Sequence, residues 1–255
     1  MGISRCNLIL MKFWTFAGIC LILNSCSRQG NQSKAEHDPS KMHASTAKRK
    51  TAIKGIAASY DNPVSTLGKG LIIAPDKFVI YNDSLLNSKF ESIDMYNNGS
   101  AIHCYSKYYK PDYGIMHFIC LQVTDKCYKI IVDYNTIKYL PKSKKYQFVN
   151  WTNYIMESYG IRRNGSTTVS KLPLRVSSSD NSDTLSIPAN YEMFCPVEVK
   201  DDWVKVKFDC FYNDDTNKHE GEPCQTYISE CKNPVTGWIK WKDGNKILID
   251  ILLMP

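Results

Sequence analysis

Between Leu71 and Leu253 the chain is a succession of short runs rich in Ile, Val, Tyr and Phe, each closed by a turn signal. That pattern restricts the body to a mainly β fold. Trp203-Val204-Lys205-Val206-Lys207-Phe208 alternates apolar and polar residues, the period of a half-buried strand. Lys77-Phe78-Val79-Ile80-Tyr81 stops at Asn82-Asp83-Ser84, a turn sequence. Further strands are read at 101–105, 117–123, 127–132 and 137–140, the middle two joined as a hairpin through Thr124-Asp125-Lys126. Five such strands in about 70 residues point to a small β-barrel. A second β block follows at 174–176, 194–199, 203–208, 237–241 and 247–253.

One segment departs from the β period. Trp151, Ile155 and Tyr159 recur every four residues before Gly160, which predicts an amphipathic helix over 148–160 with a glycine C-cap. The polar, Gly/Ser/Thr-rich stretch after it reads as a linker, 161–171.

The N-terminus carries Arg5 and Lys12 with no acidic residue, then the apolar run Phe13 to Leu23. A charged segment followed by about a dozen apolar residues has the form of a signal peptide, here 1–25. It is shorter than the roughly 20 apolar residues a spanning helix requires. Leu23-Asn24-Ser25-Cys26 resembles a bacterial lipobox, with Asn24 its atypical member. The resemblance implies diacylglycerol on Cys26, a membrane anchor, and no cofactor. An ordinary signal peptide with a chance cysteine is the plainer alternative. Ser27 follows rather than aspartate, so outer-membrane residence facing the periplasm is expected.

Residues 26–55 hold seven basic and two acidic side chains. Once these and the two signal-peptide bases are removed, the rest carries 23 basic and 23 acidic residues, so the net charge of +7 belongs to the N-terminal segments. A basic, Ser/Ala/Gln-rich stretch reads as a flexible tether, taken as 26–70. A charge-balanced body argues against nucleic acid as a partner.

Seven cysteines remain in the body: Cys104, Cys120, Cys127, Cys195, Cys210, Cys224 and Cys231. In an oxidising compartment some pair, and an odd number leaves at least one free. Cys224 and Cys231 flank a short loop-rich segment and are the first candidates for a bridge. Sequence leaves the connectivity open.

Four pieces of the C-terminal block stand in the order of the bacterial SH3-like (SH3b) domain: Leu174-Arg175-Val176-Ser177-Ser178, Val197-Glu198-Val199, Asp202-Trp203-Val204-Lys205-Val206 and Thr236-Gly237-Trp238-Ile239. The chain resembles that family over 172–253, and resembles small lipoproteins of the kind common in Bacteroidota. Two departures are Ala189-Asn190-Tyr191, where the family has a glycine turn, and a long cysteine-bearing insertion at 209–234. Phe78 to Ser84 and Tyr128-Lys129-Ile130-Ile131 parallel the first and third pieces, so 71–147 is read as a second, degenerate barrel. The resemblance implies an aromatic-lined groove for peptides or glycans, a cell-wall or envelope-protein partner and a non-enzymatic role.

Candidate sites were weighed on that basis. Asp209-Cys210 invites comparison with the Asp-Cys-Ser-Gly nucleophile of cell-wall peptidases, but Phe211-Tyr212 replace Ser-Gly and the one later histidine is His219. A structural cysteine fits better, and no catalytic residue is assigned. Asp209, Asp214, Asp215, Glu220 and Glu222 lack the spacing of a calcium loop, and His103 and His117 lie on different strands beside Cys104 and Cys120, so no metal site is assigned. The aromatic residues are the stronger lead, because flat rings bury area at small entropic cost. Tyr108, Tyr109 and Tyr113 crowd near Pro111, while Tyr212 and Trp241 lie near the insertion and are expected to be exposed. Trp203 and Trp238 occupy pattern positions expected in the core.

The expectation is thus one or two small SH3-like barrels separated by a helix, 71–147 and 172–255, after a signal peptide and tether.

Overall fold

The computed structural model describes residues 60–97, 104–164, 172–187, 192–212 and 218–254. Cys26 with the signal segment, residues 101–103 including His103, the Ala189-Asn190-Tyr191 turn, and Asp214 and Asp215 lie outside them. The fold is mainly β, built from antiparallel sheets with a half-barrel.

The first sheet begins with β1 (Gly70–Ile73), β2 (Lys77–Tyr81), β3 (Lys89–Asp94) and β4 (Tyr108–Lys110). It continues through β5 (Ile115–Val123), β6 (Cys127–Val132), β7 (Thr136–Pro141) and β8 (Gln147–Asn150). The order is β3-β2-β7-β6-β5-β1-β8, with β4 also paired to β5. The β5–β6 hairpin forms as read from its turn. β3, β4 and β8 have little apolar alternation and escape a pattern search. Cys104 and Tyr105 are not in a strand.

β5 explains why its sequence is an almost continuous apolar run. Met116, Phe118 and Cys120 point into one core with Phe78, Ile80, Ile130 and Leu140. Ile115 and Ile119 point the opposite way, into a second core. Both faces are covered, so the alternation seen in half-buried strands disappears.

A short helix, α1 (Trp151–Met156), follows β8. The predicted helix over 148–160 is corrected at both ends. Gln147 to Asn150 pair with β1, and the Asn150 side chain caps α1 by accepting from the Asn153 N–H at 2.8 Å. Trp151 and Ile155 are buried on one helix face as their spacing implies. Gly160 is no cap: it starts β9 (Gly160–Arg163), and a Cβ there would meet Met193 Sδ at 2.9 Å.

β9 also corrects the linker at 161–171. Ile161 is buried between Phe194 and Ile251, while Arg162 faces outward and meets Asp250 at 3.0 Å. Two arginines hid a strand whose inward side is apolar or paired. The second sheet adds β10 (Leu174–Arg175), β11 (Thr184–Leu185), β12 (Phe194–Lys200), β13 (Trp203–Phe208) and β14 (Thr236–Lys240). A hairpin of β15 (Lys242–Asp243) and β16 (Lys246–Ile247) precedes β17 (Ile249–Leu252), so the single strand read at 247–253 is interrupted at Leu248. The sheet order is β11-β10-β14-β13-β12-β9-β17. Asp201 turns the β12–β13 hairpin at φ 51°, a conformation aspartate tolerates better than most side chains.

The two sheets share one core rather than standing as separate barrels. Leu71, Ile119 and Ile131 from the first pack with Tyr154 and Ile155 of α1 and with Phe194, Val204, Ile239 and Ile251 from the second. The body also starts earlier than the tether boundary at 70. Leu67 is in the shared core and its carbonyl accepts from Trp151 Nε1 at 2.8 Å. Gly68 sits at φ 55°, where a Cβ would lie 2.4 Å from the Cys120 carbonyl oxygen, so the chain passes there only as glycine. Asp61 pairs with the buried Lys107, whose ammonium also donates to the Asn62 carbonyl at 3.1 Å.

His117 is buried, with Nδ1 2.7 Å from the Tyr154 hydroxyl, and burial pulls its pKa down to about 4. The folded protein therefore holds it neutral, while the unfolded chain takes up a proton near the ordinary histidine value of about 6.5. Stability is fully present above that pH and falls as pH drops toward 4, by about 2–3 kcal/mol at pH 4.5. Urea midpoints at pH 7 and 4.5, compared with those of His117→Phe, test this: the variant loses that part of the pH dependence.

Candidate functional site

The insertion 209–234 folds as a small disulfide-bound unit. Cys195 is bonded to Cys224 and Cys210 to Cys231. The predicted Cys224–Cys231 bridge is thus corrected: both cysteines are oxidised, but each reaches back to the β12–β13 region. The two 3-10 turns, Cys224–Thr226 and Ile228–Glu230, close a small core of Tyr227 and Ile228 with Phe211 around the cysteines, and the bridges tie that core to the sheet. Cys104, Cys120 and Cys127 are free and buried.

Inside the insertion Asp209 is fully buried and takes three partners. Its Oδ2 accepts from the Tyr227 hydroxyl at 2.8 Å, its Oδ1 accepts from the Phe211 N–H at 3.0 Å, and its own N–H donates to the Met193 carbonyl at 2.9 Å. Burial, reinforced by the Asp209 carboxylate, pushes the Tyr227 hydroxyl well up. The His219 ring stacks on Tyr227 with centroids 4.5 Å apart and meets Phe211 edge-on at 4.9 Å. Gln225 Nε2 donates to the Met156 and Ser158 carbonyls at 2.7 and 3.0 Å, docking the insertion on the end of α1. The Cys210 sulfur is in a bridge, so it is not a thiolate nucleophile.

This docking leaves a cleft of about 640 Å³ between the insertion and the β9–β17 edge. Its size is that of a small-molecule or peptide side-chain site. Tyr60, Tyr159, Tyr212 and Tyr227 line it with Arg162 and Met193, and Glu220 and Glu222 stand on the insertion side. The Tyr60 hydroxyl donates to the Ile251 carbonyl at 3.3 Å, and burial raises its pKa to about 12, so it stays protonated at neutral pH. Arg162 is already engaged by Asp250.

Of the aromatic residues singled out from sequence, Tyr212 is on this cleft, 45% exposed. Trp241 is not an exposed ring. It is 3% exposed, donates Nε1 to the Asp201 carbonyl at 2.9 Å and packs on Trp151 at 5.7 Å. Trp241 stands two residues beyond the buried Ile239, so the strand alternation of β14 carried one residue further puts its ring on the inward face. It borders a second, more polar recess of about 400 Å³ with Asn150, Asp201 and Lys242. Tyr108 is also a correction: it lies in the core, stacked on Tyr154 at 5.6 Å. Tyr109 is half-buried against the first core. Tyr113 is 58% exposed beneath the Lys110 ammonium, 4.2 Å from the ring centroid. These three tyrosines therefore form no common surface. Trp203 is buried as expected, whereas Trp238 is half-buried on the outer face, near Lys205.

Tyr60, Tyr159 and Tyr227 were not singled out. Tyr60 falls inside the presumed tether and Tyr159 at the presumed end of a helix, and no periodicity joins them to Tyr212. Among the described residues no group of three or more His, Cys, Asp or Glu is placed to hold a metal ion. Comparison with family models, with curated proteins and with solved structures finds no match to this chain.

Proposed function

We propose that the chain is a lipid-anchored binding protein of the bacterial envelope, without catalytic activity, whose C-terminal unit is an SH3-like barrel carrying the ligand site. The ligand is a cell-wall peptide or glycan, with an envelope protein as the other partner of this kind. One observation carries the reading: the tyrosine-lined cleft of about 640 Å³, open at Tyr212 and walled by a disulfide-tied insertion. Two bridges suit an oxidising compartment such as the periplasm. The SH3-like reading draws support from the pattern pieces, which fall on β10, β12, β13 and β14, with β10-β14-β13-β12 adjacent in that order.

Two measurements test it. Cys26→Ser releases the protein from the membrane fraction in soluble form; a variant that stays with the membrane counts against lipidation. The full chain is retained on purified peptidoglycan above a control bearing the tether segment alone. Equal retention of the two would remove the cell wall as the partner.

A further inference from the structure

The charges around the cleft are not balanced. Arg162 Nε is held by Asp250 Oδ2 at 3.0 Å, and the other oxygen of Asp250 accepts from Asn164 Nδ2 at 2.9 Å. Lys218 is held by Glu230 at 2.6 Å. Each of these two cations thus already has a carboxylate partner outside Glu220 and Glu222. Glu220 and Glu222 are exposed on the insertion wall, and among the described residues no lysine or arginine pairs with either. Glu222 meets His219 Nδ1 at 3.4 Å and accepts from Thr226 Oγ1 at 3.2 Å, which leaves lone pairs of its carboxylate unused. The same cleft is lined by Tyr60, Tyr159 and Tyr212.

Electron-rich rings and exposed carboxylates that no lysine or arginine neutralises among the described residues, lining one recess, attract the same kind of guest. Ring faces draw a cation through their quadrupole, and carboxylates add charge and accept hydrogen bonds. An anionic or neutral guest would gain little from either. We infer that the cleft binds a ligand through a primary ammonium group, the carboxylates of Glu220 and Glu222 accepting its N–H donors and the tyrosine rings enclosing its alkyl stem. A quaternary ammonium has no N–H to offer the glutamates, which is why the primary amine is assigned. The inference rests on the binding role proposed above and narrows it: within a cell-wall peptide, the recognised group is the free side-chain amine of a diamino residue.

The test uses the full chain, purified in a non-ionic detergent with both disulfides intact, and calorimetric titration with Nα-acetyl-lysine methylamide and with its Nε-acetyl derivative. The amine binds at least about tenfold more tightly than the acetylated compound, and the preference shrinks as salt is raised. Tyr212→Phe keeps the affinity, while Tyr212→Leu and the Glu220→Gln/Glu222→Gln pair each weaken it by about three- to tenfold. These positions are exposed, so the variants fold, which circular dichroism verifies. Equal binding of the two compounds, or binding of neither, overturns the inference. Retention on peptidoglycan is measured in parallel with its amines free or acetylated. Retention that acetylation leaves unchanged upholds the cell-wall reading and overturns the ammonium assignment; lysine-amide binding without peptidoglycan retention does the reverse.

Discussion

Replacing Cys195 and Cys224 together with alanine lowers the stability of the chain by about 3–4 kcal/mol, and the matching Cys210→Ala/Cys231→Ala pair has a similar effect. The bridges close loops with sequence separations of 29 and 21 residues, and loop-closure entropy in the unfolded chain sets that scale. The consequence for the cleft is larger than the consequence for the sheets. Tyr212, His219, Glu222 and Tyr227 all stand on the tied segment, whereas β13 and β14 are already paired through five registered residue pairs. In either double variant the cleft loses its insertion wall before the sheets unfold, so under the proposed binding role peptidoglycan retention disappears under conditions where the β spectrum persists. Urea titration and retention, measured on the same samples with and without reductant, separate the two. A variant that keeps full retention would show that the insertion does not form the site.

Asp61→Ala costs about 2–4 kcal/mol, because it leaves the Lys107 ammonium buried without its carboxylate. The expectation follows from where Lys107 stands. Its neighbours Ser106 and Tyr108 are buried, and its ammonium also donates to the Asn62 carbonyl at 3.1 Å. Asn62 in turn donates Nδ2 to the Ser106 carbonyl and its N–H to the Lys107 carbonyl, both at 2.8 Å. The pair thus fastens the segment entering the body to β4. Burial raises the Asp61 pKa despite the lysine, which marks the pair as an expensive one to desolvate. Replacing both partners, Asp61→Leu/Lys107→Met, recovers most of the loss, since an apolar pair removes the charge left stranded by the single change. Chemical denaturation of the three proteins checks the sign and the recovery. A single variant within about 0.5 kcal/mol of the parent would mean that water reaches Lys107.

How far the sequence could be read depended on which period each segment carried. The bounds read for β2, β6 and β13 match to the residue, because Asn82-Asp83-Ser84 stops β2 while Thr124-Asp125-Lys126 and Asp201-Asp202 mark the turns that open β6 and β13. β9 was taken for linker because Arg162 and Arg163 broke the apolar count, although Ile161 is fully buried. Trp151 and Ile155 announced a helix correctly, but Tyr159 extended it too far: the same spacing of four arises when a helix ends and the next strand returns to the same core.

The site was legible only at Tyr212. A polar, cysteine-bearing insertion interrupting the strand pattern, with an aromatic near its start, points to the segment that walls the cleft. Tyr60, Tyr159 and Tyr227 come from three distant segments, and local patterning holds no information about rings brought together across that distance. The cysteines make the same point from the other side. Their number implied bridges and a free thiol, yet Cys224 and Cys231, close in sequence, are bonded to Cys195 and Cys210 instead of to each other.

By itself the sequence determined that the body is β, where several strands begin and end, that its charge is balanced, and that a long insertion interrupts the last strands. These follow from side-chain period, turn chemistry and composition, which act between neighbours along the chain. Only the tertiary structure decided that the two sheets share one core, that Trp241 and Tyr108 face inward, and which cysteines are bonded. It also decided that Tyr212 lines one cleft with Tyr60 and Tyr159. Those outcomes depend on which faces cover each other, and that is set by contacts between residues far apart in the chain.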